Sequence, residues 1–260
     1  MKKPVVIIGI GEIGGVFARG FLKLGHPIYP VTRQTPMEEV AVAVADPELV
    51  MVAVGEKDLH PTLEKIPSQW RDRLVLIQNE LLPRDWRRHD IGNPTVISVW
   101  FEKKPGMDAK VVVPSPVFGP KAENVIAALD AVGLPAYQLD SEEQLLFELV
   151  RKNLYILTTN IAGLAMGGGT VTDLWRDNNA LARDVAADVL VIQHWLTGED
   201  LDDDALIEAM VTAFDGDPQH GCMGRSAPAR LERALRIADE AGLDVPTLRR
   251  IAAENGGDAA

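Results

Sequence analysis

The chain has a single cysteine, Cys222, among 260 residues. This excludes a disulfide framework and a thiolate quartet for structural zinc, and it fits a reducing compartment. Basic residues are scarce relative to acids: 26 Lys and Arg stand against 38 Asp and Glu, giving a formal charge of −12 and a pI near 4.9. Phosphate-rich surfaces are held by concentrated Lys and Arg, so nucleic acid and anionic membrane are excluded as partners and a small molecule is expected instead. Long apolar runs are also missing, each being broken by Gly, His, Asp or Gln short of bilayer-spanning length. Two lysines near the N-terminus lead straight into a strand pattern, and the expectation is a cytoplasmic protein with no membrane partner. His26, His60, His89, His194 and His220 are scattered without ligand spacing, and no metal site is expected.

What the chain does contain is apolar material for real cores, 47% of its residues. The first half alternates short β-branched runs with helical patterns. VVIIGI (5–10), PIYPVTR (27–33), LVMVAV (49–54) and RLVLIQN (73–79) are strand-like, and EIGGVFARGFLKLG between the first two has helical spacing. Near-continuous apolar strands separated by helices predict a parallel sheet covered on both faces. TVISVWFE (95–102), AKVVVP (109–114), PVFG and PAYQLD (135–140) follow with one helix among them, so the sheet is expected to finish with strands of mixed direction. A first domain over 1–140 is therefore expected. After Ser141 no convincing strand remains. SEEQ supplies a serine N-cap to a helix running toward Gly167, GGGTVTDL breaks it, and a second helix is expected over 178–196. EDLDDD places acids ahead of the helix in ALIEAMVTAF and reads as capping, while Gly242 is placed to end PARLERALRIADEAG. The fold class is α/β: a Rossmann-type dinucleotide-binding domain, then an all-helical domain over 141–254 and a frayed tail over 255–260.

Three glycines carry the cofactor argument. Gly9, Gly11 and Gly14 stand in G-x-G-x-x-G spacing where a strand pattern passes into a helix pattern, with Glu12 and Ile13 opening the helix. That arrangement provides a tight turn, room for pyrophosphate against bare backbone, and close packing of helix on strand. The competing reading is a glycine-rich turn that binds nothing. At the end of the next strand, where selection for NAD usually places an acid, the chain has Thr32 and Arg33. A guanidinium matches phosphate oxygens, so this pair suits a 2′-phosphate and points to NADP(H), unless Arg33 is simply one more surface arginine.

The glycine fingerprint, Arg33, LVMVAVGEKDL, LVLIQNE and the helix RKNLYILTTNIAGLA occur in the order and at about the spacing of the ketopantoate reductase family, which the chain resembles over most of its length. The resemblance implies a Rossmann domain, a helical domain that binds substrate and mediates dimerisation, and reduction of a 2-keto acid by NADPH. It implies that Lys152 is the proton donor, that Asn79 and Asn160 position cofactor and substrate, and that Val54 and Gly55 lie along the cofactor. A homodimer is also implied. The sequence departs from the family pattern in five places. Gly55 replaces a lysine, Glu80 a glycine and Ile156 a first helix asparagine, and Cys222 and Met223 fall where serine and methionine are usual. The family's substrate-binding glutamate has no clear counterpart; Arg225 and Ser226 stand nearby as candidates for a substrate carboxylate.

Each of these residues has a blander reading. Lys152 is equally a snorkelling lysine with its stem packed on the helix. Asn160 is equally a satisfied core amide, or part of a kink with Thr158 and Thr159 bonding back to the preceding turn. Cys222 reads as a wall of the substrate site or as filler rather than a nucleophile. The expected function is an NADPH-dependent reductase of a small 2-keto acid or related carbonyl compound. Two alternatives stay open: an NADP-binding sensor or scaffold that has lost turnover, and a 6-phosphogluconate-dehydrogenase-like oxidoreductase.

Overall fold

The structure is a computed structural model describing residues 2–256. The chain divides into two compact units, one ending at Leu149 and the other beginning at Val150. In the first, β1 (Val5–Ile8), α1 (Glu12–Lys23), β2 (Ile28–Val31), α2 (Met37–Ala43) and β3 (Leu49–Val52) open the chain. Next come α3 (Leu59–Leu63), β4 (Leu74–Leu76), α4 (Pro83–Arg87), β5 (Thr95–Ile97), β6 (Phe101–Glu102) and β7 (Lys110–Val111). Then β8 (Ser115–Phe118), α5 (Ala122–Asp130) and β9 (Ala136–Gln138) lead to α6 (Glu142–Met166), which carries the chain into the second unit. That unit adds α7 (Asn179–Thr197), α8 (Asp203–Gly216), α9 (Ala227–Ala241) and α10 (Pro246–Gly256). Of the expected tail, Asn255 and Gly256 close α10, and 257–260 lie outside the described residues.

Seven strands form one sheet in the order β2-β1-β3-β4-β5-β8-β9. β2 through β5 are parallel, β8 is antiparallel to β5, and β9 is parallel to β8, which is the mixed finish the sequence predicts. The run 95–102 is not one strand. β5 stops at Ile97, and β6 pairs with β7 in a separate two-stranded ribbon. Along β1, β3 and β4 every side chain is buried, as a sheet covered on both faces requires. On one face Val5, Ile7, Leu49, Met51, Val75 and Ile97 pack against Phe17 and Phe21 of α1 and Val125 and Leu129 of α5.

Chain order reverses between β1 and β3, because β2 lies outside one and β4 outside the other. Ile8 is level with both Val31 and Val52, and Val52 with Leu76. The segments after β1, β2, β3 and β4 therefore leave the sheet together at its carboxyl edge, where open α/β sheets bind ligands.

In the second unit the expected caps are present. Asp202 accepts from the Ala205 N–H at 3.0 Å ahead of α8, and Gly242 ends α9 in a left-handed conformation (φ 66°). The GGG break is a real stop, since Gly167, Gly168 and Gly169 all have positive φ. A single bridge, Thr170 to Gly221, is the strand-like pairing that the sequence did not announce.

Candidate functional site

At the carboxyl edge of β1 the three glycines meet three different steric demands. Gly9 has φ 95°, and a β-carbon there would lie 2.7 Å from the Ala53 carbonyl oxygen. At Gly14 a β-carbon would lie 2.1 Å from the Gly9 carbonyl oxygen, so α1 is seated directly on the turn. Gly11 is the opposite case, since nothing stands within 4 Å of where its β-carbon would be. Two glycines are thus required by packing and the middle one leaves open space at the start of α1. Gly11 caps that helix without a side-chain hydrogen bond, and the first intrahelical bond runs from the Gly15 N–H to the Gly11 carbonyl at 2.8 Å. The amides of the first turn face that space with the positive end of the helix dipole, and Ile13 beside them is half-buried. These features fit a pyrophosphate. Glu12, exposed, bonds Lys103 Nζ through Oε2 at 3.0 Å.

Thr32 and Arg33 follow β2 in a tight turn, with the Thr35 N–H bonded to the Thr32 carbonyl and the two threonine hydroxyls 2.9 Å apart. Arg33 projects with 88% of its side chain exposed and reaches Asp58 Oδ2 at 3.3 Å. That acid lies 25 residues downstream, so sequence spacing gave no sign of it. A pair this exposed contributes only about 0.2–1 kcal/mol, and the guanidinium is readily drawn to a stronger anion.

Val54 is half-buried and Gly55 exposed, and Gly55 has ordinary extended backbone in open space, so no backbone constraint explains glycine there. Asn79 is exposed three residues beyond the end of β4. Glu80 has a left-handed conformation (φ 57°), one that glycine adopts more readily than glutamate. The strain of such a residue is roughly 1–2 kcal/mol. One residue the sequence reading passed over is Gln78. Its buried amide donates to the Val52 and Val54 carbonyls at 2.7 and 3.2 Å and accepts from the Ile77 N–H, stitching the Val54 segment to the strand that delivers Asn79. A glutamine inside an apolar strand was the available signal.

Two of the histidines are brought together after all. His60 Nδ1 and His89 Nε2 lie 3.0 Å apart, and Asp85 stands 3.5 Å from His60 Nε2. Burial, then Arg88, holds both imidazoles below the usual histidine range, which favours the neutral pair. Among the described residues no group of three or more His, Cys, Asp or Glu is arranged to hold a metal ion.

In the second unit, α6 carries both Lys152 and Asn160. Lys152 is half-buried, with Nζ 5.9 Å from the centre of the Tyr155 ring. Asn160 is engaged at both ends of its amide: Nδ2 donates to the Ile156 carbonyl at 2.8 Å, and Oδ1 accepts from the Gly224 N–H at 3.0 Å. Thr159 bonds back to Tyr155 and Ile156, whereas the buried Thr158 hydroxyl has no hydrogen-bond partner, so only one of the two expected back-bonds is present. The Thr159 carbonyl also receives the Met223 N–H at 3.4 Å, and Gly163 is small because a β-carbon there would fall 2.5 Å from that same nitrogen. The segment carrying Cys222, Arg225 and Ser226 is therefore pinned along the Thr159 to Gly163 stretch of α6. Arg225 and Ser226 are exposed, whereas Cys222 is buried, its thiol pushed up to about 11 by desolvation and then by Asp173. A thiol so protonated is no nucleophile at neutral pH.

No family model matches this chain, and no curated protein matches it in sequence. Solved structures do match over nearly the whole chain. A ketopantoate reductase of the PanE/ApbA family from Ralstonia eutropha is 18% identical with a TM-score of 0.65, over 98% of this chain and 97% of that one. A dimeric ketopantoate reductase from Staphylococcus aureus is 17% identical with a TM-score of 0.63, over 98% of each. A D-mandelate dehydrogenase in complex with NADH is 13% identical with a TM-score of 0.67, over 99% of this chain and 98% of that one. The chain has the ketopantoate reductase fold.

Proposed function

We propose that the chain is an NADPH-dependent reductase of a small 2-keto acid or related carbonyl compound, working as a cytoplasmic homodimer with Lys152 as proton donor. The observation that carries the reading is the glycine turn, closed by packing at Gly9 and Gly14 and open at Gly11. The fold shared with dinucleotide-dependent reductases supports it, and the dimeric relative supports the assembly.

Reduced nicotinamide supplies hydride when bound. The chain's part is to hold and to protonate. Gly9, Gly11 and Gly14 with the Glu12 and Ile13 amides take the pyrophosphate, Thr32 and Arg33 take the 2′-phosphate, Val54 and Gly55 run along the dinucleotide, and Asn79 orients nicotinamide and substrate. The Lys152 ammonium donates a hydrogen bond to the carbonyl oxygen, stabilises the negative charge that gathers there, and passes it one proton, leaving a neutral amine for water to recharge. Arg225 and Ser226 take the substrate carboxylate, and Cys222 walls the site. Asn160, its amide already bonded to Gly224 and Ile156, acts by positioning the segment that bears them.

The test is NADPH oxidation against a panel of aliphatic and aromatic 2-keto acids. At least one member should turn over, with kcat falling roughly 10²- to 10⁴-fold in Lys152→Ala. In Arg33→Ala the preference for NADPH over NADH should shrink about 10- to 100-fold. NADPH binding without turnover on any member would favour the second reading, a dinucleotide-binding sensor or scaffold. Ile156 argues for that reading, because it stands where the family's helix has a hydrogen-bonding amide.

A further inference from the structure

The open face at Gly11 has an unexplained neighbour. Glu12 is the first residue of α1, so its carboxylate sits beside the amides that would receive a pyrophosphate, and two negative groups would compete for one small region. The structure meets that conflict with a residue from far along the chain. Lys103 follows β6, 91 residues after Glu12, and only 21% of its side chain is exposed. Its Nζ donates to Glu12 Oε2 at 3.0 Å and to the Lys104 carbonyl at 2.9 Å. An ammonium has three donors, so one remains. The next residue makes a useful contrast: Lys104 is 68% exposed and pairs with Glu102 at 3.6 Å on the ribbon itself.

We infer that Lys103 is a pyrophosphate-positioning residue: it neutralises Glu12 at the mouth of the glycine turn and offers its remaining donor to the diphosphate of a nicotinamide dinucleotide. This rests on the dinucleotide reading above. The two-stranded ribbon of β6 and β7 thereby gains a purpose, since it delivers a partly desolvated cation to a helix start whose own first side chain is an acid. A cation held against Glu12 costs little to reorient, and its charge acts on a phosphate at short range with weak screening. The contribution goes to the diphosphate, which NADPH and NADH share, and not to the 2′-phosphate.

The experiment is direct binding to the purified full-length chain, followed by nucleotide fluorescence or calorimetry, with NADPH, NADH and 2′-AMP as probes. In Lys103→Met the Kd for NADPH and for NADH should rise together about 10- to 30-fold, while 2′-AMP, which has no diphosphate, stays within about twofold. Adding Glu12→Gln to Lys103→Met should recover part of the loss, the share due to the uncompensated acid, and leave the share due to the missing donor. Lys104→Met, one residue away with the same change of charge, should stay within about twofold for all three probes. Thermal melts alongside give a readout of folding. Wild-type binding with an unchanged Lys103→Met would overturn the inference alone, as would equal weakening of all three probes. Wild-type protein that binds neither dinucleotide would overturn the cofactor reading and this inference with it.

Discussion

In the N-terminal unit the glycine turn offers bare backbone, whereas in the C-terminal unit the Asn160 amide is already committed to the chain's own backbone. Gly11 faces open space between two glycines that packing requires, so that region is built with a place left for something else. Along α6, Asn160 spends both ends of its amide on the chain's own backbone, and Gly163 brings the Met223 segment into near contact. The first arrangement leaves the amides of a helix start facing open space. The second is a clamp that fixes the segment bearing Arg225 and Ser226 along α6.

The sharpest way to break this contrast is at the glycines. Gly14→Ala drives a methyl to 2.1 Å from the Gly9 carbonyl oxygen, a clash with backbone that cannot rotate away. The expected cost is upwards of about 3 kcal/mol, seen as a large drop in the urea midpoint together with loss of dinucleotide binding. Gly11→Ala meets no such obstacle. It should keep stability within about 1 kcal/mol while raising the Kd for NADPH more than about tenfold, since the new methyl occupies the approach. Equal loss of stability in the two variants would mean that the Gly11 face is packed and not open, and an unchanged Kd in Gly11→Ala would mean that it is not a binding surface.

A smaller effect is expected in the clamp. Asn160→Leu removes the acceptor for the Gly224 N–H and the donor to the Ile156 carbonyl, and should cost about 1–2 kcal/mol. Hydrogen exchange should report faster exchange at Gly224. Asn160→Asp keeps an acceptor and should restore the protection at Gly224 more fully than it restores stability. If Asn160→Leu left exchange at Gly224 unaltered, the positioning role would be lost and only a packing role would remain.

How much of this was legible beforehand follows from where each interaction lies along the chain. The glycine turn was readable because Gly9, Gly11 and Gly14 lie inside one strand-to-helix junction, although the carbonyl that excludes a β-carbon at Gly9 belongs to the distant Ala53. Helix stops and caps at Gly167, Asp202 and Gly242 were readable for the same reason. The mixed finish of the sheet followed from crowded strand patterns with few helices between them, but the split of 95–102 did not. It arises when the chain leaves β5 after Ile97 to build a ribbon with residues further on. Asp58 beside Arg33, Lys103 beside Glu12 and Gly224 on Asn160 are separated by 25, 91 and 64 residues, and nothing local encodes them. Glu80 shows the limit from the other side: a glutamate disfavours the left-handed conformation that its backbone adopts.

The weakest effect in the comparison concerns Cys222, and it tests whether the clamp is as dry as its geometry implies. Desolvation first, and Asp173 second, raise the native thiol to about 11 from about 9 in an unfolded chain. A group whose folded pKa is raised contributes stability that is fully present below the unfolded value and is lost as pH climbs through the folded one. Here the unfolded thiol ionises first, from about pH 9, so native stability should decline between pH 9 and 11, by on the order of 1 kcal/mol at pH 10. Cys222→Ala has no proton to lose, so the parent's urea midpoint should fall relative to the variant's over that interval, and the difference between them should stay flat below it. A thiol reagent at pH 8 should label the folded parent slowly, at a rate governed by opening of the clamp. Rapid labelling at pH 8 together with a flat difference to pH 11 would place water against the sulfur, and the 222–226 segment would then be a loose surface loop instead of a fixed wall.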